Sequence, residues 1–330
     1  MTTNIGQGAG PRHAAAGFRS PPRPPDRRSN PRLGRIDLKA SPYLFIAPFF
    51  LLFAVFGAYP LFWTAYISLH KYTLSGDNEG YVGFSNYSKL LADEHFWTVI
   101  FNTFGLFFVA TVPQLLLALV IASWLHKKLR FRTGLRMGIL VPNITSVATV
   151  GIVFGFIFAD RYGLVNWLLQ TFGVDAVNWR DHRWSSWTAI AFMVDWRWTG
   201  YNALIYLAAM QAIPRDLYES AAIDGASAFR RFWRITVPLI QPTIVFTVII
   251  STIGAMQLFT EPYMFSYGQS RGGVGNEVQT LAMLIYQTTF EGTYSVGRGS
   301  AMSWLLFLLI LIFALFNIWL VRRSVKGEAQ

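Results

Sequence analysis

Six stretches of the chain read as continuous apolar runs, each close to the ~20 residues that a helix needs to cross a bilayer. They cover residues 43–70, 97–125, 137–159, 187–211, 237–260 and 301–321. Interior prolines (Pro48, Pro60, Pro113 and Pro142) predict kinks, which membrane helices tolerate. The pattern therefore predicts an all-α integral membrane protein with six spans. Ahead of the first run, residues 1–40 hold eight basic residues and the proline-rich stretch SPPRPPDRRSNPR. They are expected to be a disordered tail, because so little apolar surface cannot fold. The first run starts only at Tyr43 and is too long for a secretory signal peptide.

Between the fourth and fifth runs the pattern changes. Ile213 to Pro242, IPRDLYESAAIDGASAFRRFWRITVPLIQP, carries four arginines and three carboxylates. Such a stretch belongs in water or at the membrane surface. It predicts two short helices about a glycine corner. Asp216-x-x-Glu219, just after Pro214, is a variant of the capping box that satisfies free backbone amides. Gly225 can take the left-handed conformation of a tight helix stop. Ser227 can cap a second helix with Phe229, Phe232, Trp233 and Thr236 on one face and Arg230, Arg231 and Arg234 largely on the other. Pro238 is expected to open the next span.

Composition agrees with a membrane protein: 53% of residues are hydrophobic and only 14% charged, well under the charged share of a soluble domain. The net charge of +11 is distributed by topology, not gathered on a phosphate-binding face. Twenty of the 28 lysines and arginines fall before the first span, between the second and third, between the fourth and fifth, and after the sixth; the alternate loops hold seven. The positive-inside rule then puts both termini and the Glu219 loop in the cytoplasm of a multi-pass protein of the cell membrane. No cysteine is present, which excludes disulfides and thiolate chemistry. The five histidines lack metal-ligand spacing, and no G-x-x-x-x-G-K-[ST] phosphate loop occurs. Gly272, Gly273 and Gly275 suggest a flexible external loop.

Glu219, Ser220, Ala221, Asp224, Gly225 and Ala226, followed by Ile235 and Pro238, resemble the EAA motif of binding-protein-dependent ABC importer permeases, with Ser220 in place of the usual alanine. SPYLFIAPFFLLF, VGFSNYSKLLAD and LAAMQAIPRDLYESAAIDGA extend the likeness over nearly the whole chain after residue 40, toward the MalF-type permeases of carbohydrate-uptake importers. WRWTGYNALIYLAAMQAIP and STIGAMQLFTEPYMF resemble the cellobiose-type permeases of actinobacteria.

The resemblance implies a six-helix type I (MetI-like) permease. Residues 41–96 would form the first span and an external loop, 97–322 the core with the EAA loop at 213–242, and 323–330 a cytoplasmic tail. It further implies a second homologous permease, two ABC ATPase subunits that bind the ATP, an extracellular solute-binding lipoprotein and the membrane lipid as partners. The chain itself would hold no cofactor, catalyse no reaction and contact no nucleic acid. The EAA residues Glu219, Ala221, Asp224, Gly225, Ala226, Ile235 and Pro238 would couple to the ATPase.

Sugar recognition requires hydrogen-bonding groups and flat aromatic faces. In the family, the positions of Trp198, Tyr201, Gly254 and Gln257 contact sugar, although Trp198, Gly254 and Gln257 differ in side chain from family members. Asn202 joins them on the fourth span. For Trp187 and Trp196 the expectation is an interfacial belt or packing, and for Tyr201 and Asn202 either packing or a pore wall. Asp195 and Arg197 fall on roughly opposite helix faces. Each is expected to face water or another helix, with a proton relay through Asp195 as the further alternative. Asn102, Asn143 and Gln114 fit bonds to neighbouring helices. The competing functions are a proton-coupled secondary sugar transporter, for which Asp195 alone would supply a buried carboxylate, and a membrane-embedded enzyme, which would want a cluster of His, Asp or Glu at one membrane depth that the sequence does not offer.

Overall fold

The computed structural model describes the backbone of residues 31–127 and 130–327, and the chain divides into two units, one ending at Tyr59 and one from Pro60 onward. In the first unit, helix α1 (Pro31–Phe53) runs into a π-helical turn at Ala54–Ala58. The turn lies just ahead of Pro60, whose missing N–H removes one α-helical bond. The expected disordered tail falls outside the described residues as far as residue 30. From Pro31 onward it is helix instead, since a proline is well suited to a helix start.

The second unit holds α2 (Tyr59–Ser68) from Pro60 onward and a small antiparallel hairpin, β1 (His70–Tyr72) with β2 (Asn78–Tyr81). There follow α3 (Ser85–Leu91), the long α4 (Glu94–His126), α5 (Arg132–Gly138), α6 (Val141–Ile144) and α7 (Val147–Ile157). Next come α8 (Leu164–Thr171), α9 (Arg183–Gln211), α10 (Arg215–Ile223) and α11 (Ala228–Arg231), then a π-helical turn at Phe232–Thr236. The chain ends with α12 (Val237–Leu239), α13 (Gln241–Met256), α14 (Thr260–Phe265), α15 (Leu281–Tyr286) and α16 (Val296–Gly327).

By length and composition, three described stretches can cross a membrane as single helices: Ser41–Ser68, Glu94–His126 and Val296–Trp319. Two more of the predicted spans are bent. Arg132–Ile144 meets Val147–Ile157 at 92°, and Ala228–Leu239 meets Gln241–Met256 at 70°. The third predicted span is thus two helices, because Thr145 and Ser146 between them have extended backbone, with ψ of 140° and 129°. The straight part of the fifth begins at Gln241, not at Pro238. Pro242 has no N–H to give the Pro238 carbonyl, so the helix cannot run straight through. The fourth is α9, whose 29 residues reach about 44 Å at 1.5 Å each. It is long enough to span but carries Asp195 and Arg197. Helix α16 runs to Gly327, past the predicted end of the core at residue 322.

The core of the second unit is built on α4. One face meets α9: Ala118 and Ala122 are fully buried with Ala203, Tyr206 and Met210, and small residues of this kind let two membrane helices approach closely. Nearer the start of α4, the Trp187 ring lies over Gly105, so that a Cβ at Gly105 would sit 2.0 Å from it. Another face carries Val99 against Met256, Leu281 and Met302. Apolar Phe108, Leu116 and Val120 remain exposed on α4, as lipid-facing positions should. The glycine segment after α14 is anchored, contrary to the flexible loop expected. Asn102 Nδ2 donates to the carbonyls of Asn276 and Gln279 at 2.8 and 3.2 Å, and Trp187 Nε1 donates to Glu277 O at 3.0 Å.

Candidate functional site: a cavity between α4, α9, α13 and α14, and the loop that follows α9

The five predicted pathway residues come together. Trp198, Tyr201 and Asn202 on α9 line one cavity of about 480 Å³ with Gly254 and Gln257 at the end of α13. Helix periodicity explains half of this: residues 198, 201 and 202 are spaced by three and four and share a face. The other half follows from the end of α13. Its chain leaves helical geometry at Gln257 and turns into α14, which leaves the last turn facing a space rather than a neighbour. Gly254 has nothing within 4 Å of where a Cβ would be. Trp198 and Tyr201 meet edge to face with centroids 5.9 Å apart and stay part exposed. Asn202 is buried, its Nδ2 at 3.3 Å from Ser251 Oγ. The wall thus combines aromatic faces with amide and hydroxyl groups.

Two charges border the same cavity. Arg197 Nη1 lies 2.7 Å from Glu261 Oε1, and the side chains are 9% and 6% exposed. The pair joins α9 to α14. Sequence reasoning placed Arg197 against water or another helix without naming a partner, and the signal was available. Arg197 and Glu261 are opposite charges in or at the end of two neighbouring apolar runs, and buried charges pair. Asp195, two residues away, is part buried with Oδ1 unpartnered and does not line this cavity. The separation of Asp195 and Arg197 to different surroundings is as the spacing required. Helix α4 adds Thr111 and Gln114 to the wall, so Gln114 does not bond a neighbouring helix as expected. Trp187 is packing, as expected, buried at 1% exposure.

The polar loop after α9 forms the predicted helix pair. Helix α10 ends with Gly225 at φ +77°. Gly225 N–H donates to Ala222 O at 3.1 Å and Ala226 N–H to Ala221 O at 2.9 Å. These two bonds make a Schellman stop, in which glycine takes the left-handed position at low cost. Ser227 Oγ accepts from the Arg230 N–H at 3.3 Å, the predicted cap of α11. The predicted capping box fails, because the N-cap position is Pro214, which has no side-chain acceptor, and Asp216 lies inside the helix. The two arms are tied by Tyr218 Oη to Thr236 Oγ1 at 2.8 Å and by Arg231 Nη1 donating to Tyr218 O at 3.3 Å. The predicted aromatic face is divided: Thr236 is buried, while Phe229 and Trp233 stay exposed. Glu219, Asp224, Gly225 and Pro238 are exposed, with Ala221, Ala226 and Ile235 half-buried among them. The loop therefore offers its charged and small residues outward on a fixed frame.

Residues 108–326 match the model of the family described as binding-protein-dependent transport system inner membrane component. The chain belongs to that permease family. It is 34% identical over 292 residues to the arabinooligosaccharides transport system permease protein AraP of Bacillus subtilis, covering 88% of this chain and 91% of that one. It is 36% identical over 285 residues to the lactose transport system permease protein LacF of Rhizobium radiobacter, covering 85% and 93%. A solved bacterial alginate ABC transporter, in complex with an alginate pentasaccharide-bound periplasmic protein, has a similar fold, with a TM-score of 0.71 at 21% identity over 89% of this chain and 98% of that one. The resemblance to carbohydrate-uptake permeases and the all-α, multi-pass membrane fold expected from the sequence both hold. None of these comparisons names the cellobiose branch.

Proposed function

We propose that this chain is the permease subunit that carries a small neutral oligosaccharide inward, with cellobiose or a similar β-glucoside the favoured cargo. The observation that carries this reading is the convergence of Trp198, Tyr201, Asn202, Gly254 and Gln257 on one cavity of about 480 Å³. That size lies within the roughly 300–1,000 Å³ of small-molecule sites, and rings beside amides suit a sugar's apolar and hydroxyl faces. The names of the permeases it resembles point to oligosaccharides. The β-glucoside preference rests on the fourth- and fifth-span stretches alone.

In this reading both termini and the Glu219–Pro238 loop face the cytoplasm. Glu219, Ala221, Asp224, Gly225, Ala226, Ile235 and Pro238 form the surface that docks on a partner ATPase. The working complex adds a second homologous permease, two ATPase subunits and an extracellular solute-binding lipoprotein. ATP binding and hydrolysis on the partners favour different arrangements of the helices, and the loop transmits that difference. The rigid Schellman corner suits such a lever.

The test is uptake of labelled cellobiose by cells lacking the gene and by cells carrying it back, with maltose, lactose and a longer β-glucan oligomer as competitors. Loss and recovery support the reading, and the competition pattern gives the size and linkage. Unchanged uptake of all these sugars, in cells with no second system, would refute it. Glu219→Lys, in protein that still reaches the membrane, is expected to abolish ATP-driven uptake.

A further inference from the structure

Two buried hydrogen-bond donors of cavity-lining residues have no partner among the described residues. Gln114 on α4 is 2% exposed, and its Nε2 makes no hydrogen bond. Arg197 gives Nη1 to Glu261, while its buried Nε is also unpaired. Both residues line the same cavity. A buried donor left without an acceptor is costly and uncommon. Both atoms are closed off in this arrangement, so the group that relieves that cost is an acceptor met as the helices part around what enters the cavity. Asn102, nearer the start of α4, differs in its donor: Nδ2 gives to two backbone carbonyls, and the atom left unpaired there is the acceptor Oδ1.

We propose that Gln114 and Arg197 form a third, specificity-determining wall, in which Gln114 Nε2 and Arg197 Nε donate to oxygen atoms of the sugar as it crosses. The inference deepens the sugar-permease reading and rests on it. The chemistry selects a class. Hydroxyl, ring and glycosidic oxygens all accept hydrogen bonds. Glu261 balances the charge of Arg197, so the wall offers directed donors with no net charge. That arrangement favours a neutral sugar over an acidic one.

The experiment uses the full complex, this chain with its partner permease, ATPase and binding protein, in liposomes. Labelled cellobiose, lactose, maltose and arabinotriose are supplied with ATP, together with monodeoxy analogues of whichever sugars the wild type transports. Gln114→Leu is expected to lower the transport rate about tenfold, the worth of one lost hydrogen bond. It should also flatten the preference for the parent sugar over one deoxy analogue, a readout that loosened packing would not move. Gln114→Asn should recover part of the rate. Arg197→Lys, which keeps a charge beside Glu261 but removes Nε, should lose a similar factor with a different analogue. If Gln114→Leu does not assemble, Gln114→Met, of similar length and without the amide, carries the test. Wild-type rates and wild-type analogue preference in the assembled variant, with Gly254→Phe blocking transport, would overturn the third wall and leave the cavity as the pathway. Full transport by Gly254→Phe would remove the cavity reading itself and this inference with it. Failure of the wild type to move any of the four sugars would remove the sugar reading, and the third wall again falls with it.

Discussion

The buried Arg197–Glu261 pair makes a prediction in which stability and transport separate. With a 2.7 Å contact and side chains 9% and 6% exposed, each charge is held almost wholly by the other. Glu261→Leu leaves the guanidinium buried with no counter-charge, and its Nε already lacks a partner. Breaking a buried pair from one side costs about 3–5 kcal/mol, whereas replacing both charges by apolar groups of similar volume is often neutral or stabilising. Since about 2–4 °C per kcal/mol holds for 150–250 residues and less for a larger unit, Glu261→Leu or Arg197→Met alone should lower the melting temperature of the purified complex by up to about 20 °C. The double variant Arg197→Met/Glu261→Leu should return to within a few degrees of wild type. The assay is thermal unfolding in detergent at fixed ligand and protein concentration, followed by intrinsic tryptophan fluorescence. Single variants that melt with the wild type would show the pair to be solvated, and the reasoning would fail. A double variant as unstable as the singles would show that the site needs charge for some other reason. Transport by the stable double variant should remain impaired, because the donor proposed to meet the sugar is gone.

Other consequences follow from the glycines and the loop. Gly105→Ala drives a Cβ to within 2.0 Å of the Trp187 ring and is expected to destabilise by about 1–3 kcal/mol, while Gly254→Ala meets nothing within 4 Å and should melt as wild type. Parallel thermal unfolding checks both. Gly225→Val forces a β-branched residue to φ +77°, beyond the ~1–2 kcal/mol that an ordinary side chain costs there. Transport per ATP hydrolysed should fall while the protein still inserts. Ser227→Ala removes the acceptor for the Arg230 N–H and should loosen α11 by about 1 kcal/mol, visible as faster amide exchange confined to residues 228–232.

What was legible in the sequence divides by the range of the interaction. Apolar runs and the EAA loop are local patterns, so the spans, the glycine stop at Gly225 and the Ser227 cap could be read directly. The line Trp198, Tyr201, Asn202 is local too, since helix periodicity puts it on one face. The breaks at Thr145–Ser146 and Ile240–Gln241 were less visible. Hydropathy is summed over a window, and a run remains apolar whether or not its backbone bends. The capping box misled because its residue types were present two positions past the N-cap.

The proposed third wall was out of reach for a different reason. Gln114 sits in a long apolar run whose other polar residues, such as Asn102 and Thr103, hydrogen-bond within the protein. Nothing in its neighbours distinguishes it from them. Its distinction is a lack: no acceptor among the described residues meets its Nε2, and the residue lines a cavity. Sequence patterns record what a residue can bond to, but an unmet donor exists only relative to the whole packing. The same holds for Gly254, whose absent side chain matters because space is left open there. In a permease that open space is the point of the fold. Helices pack tightly at Ala118, Ala122 and Ala203, and further along the same helices the proposed sugar wall keeps its unmet donors.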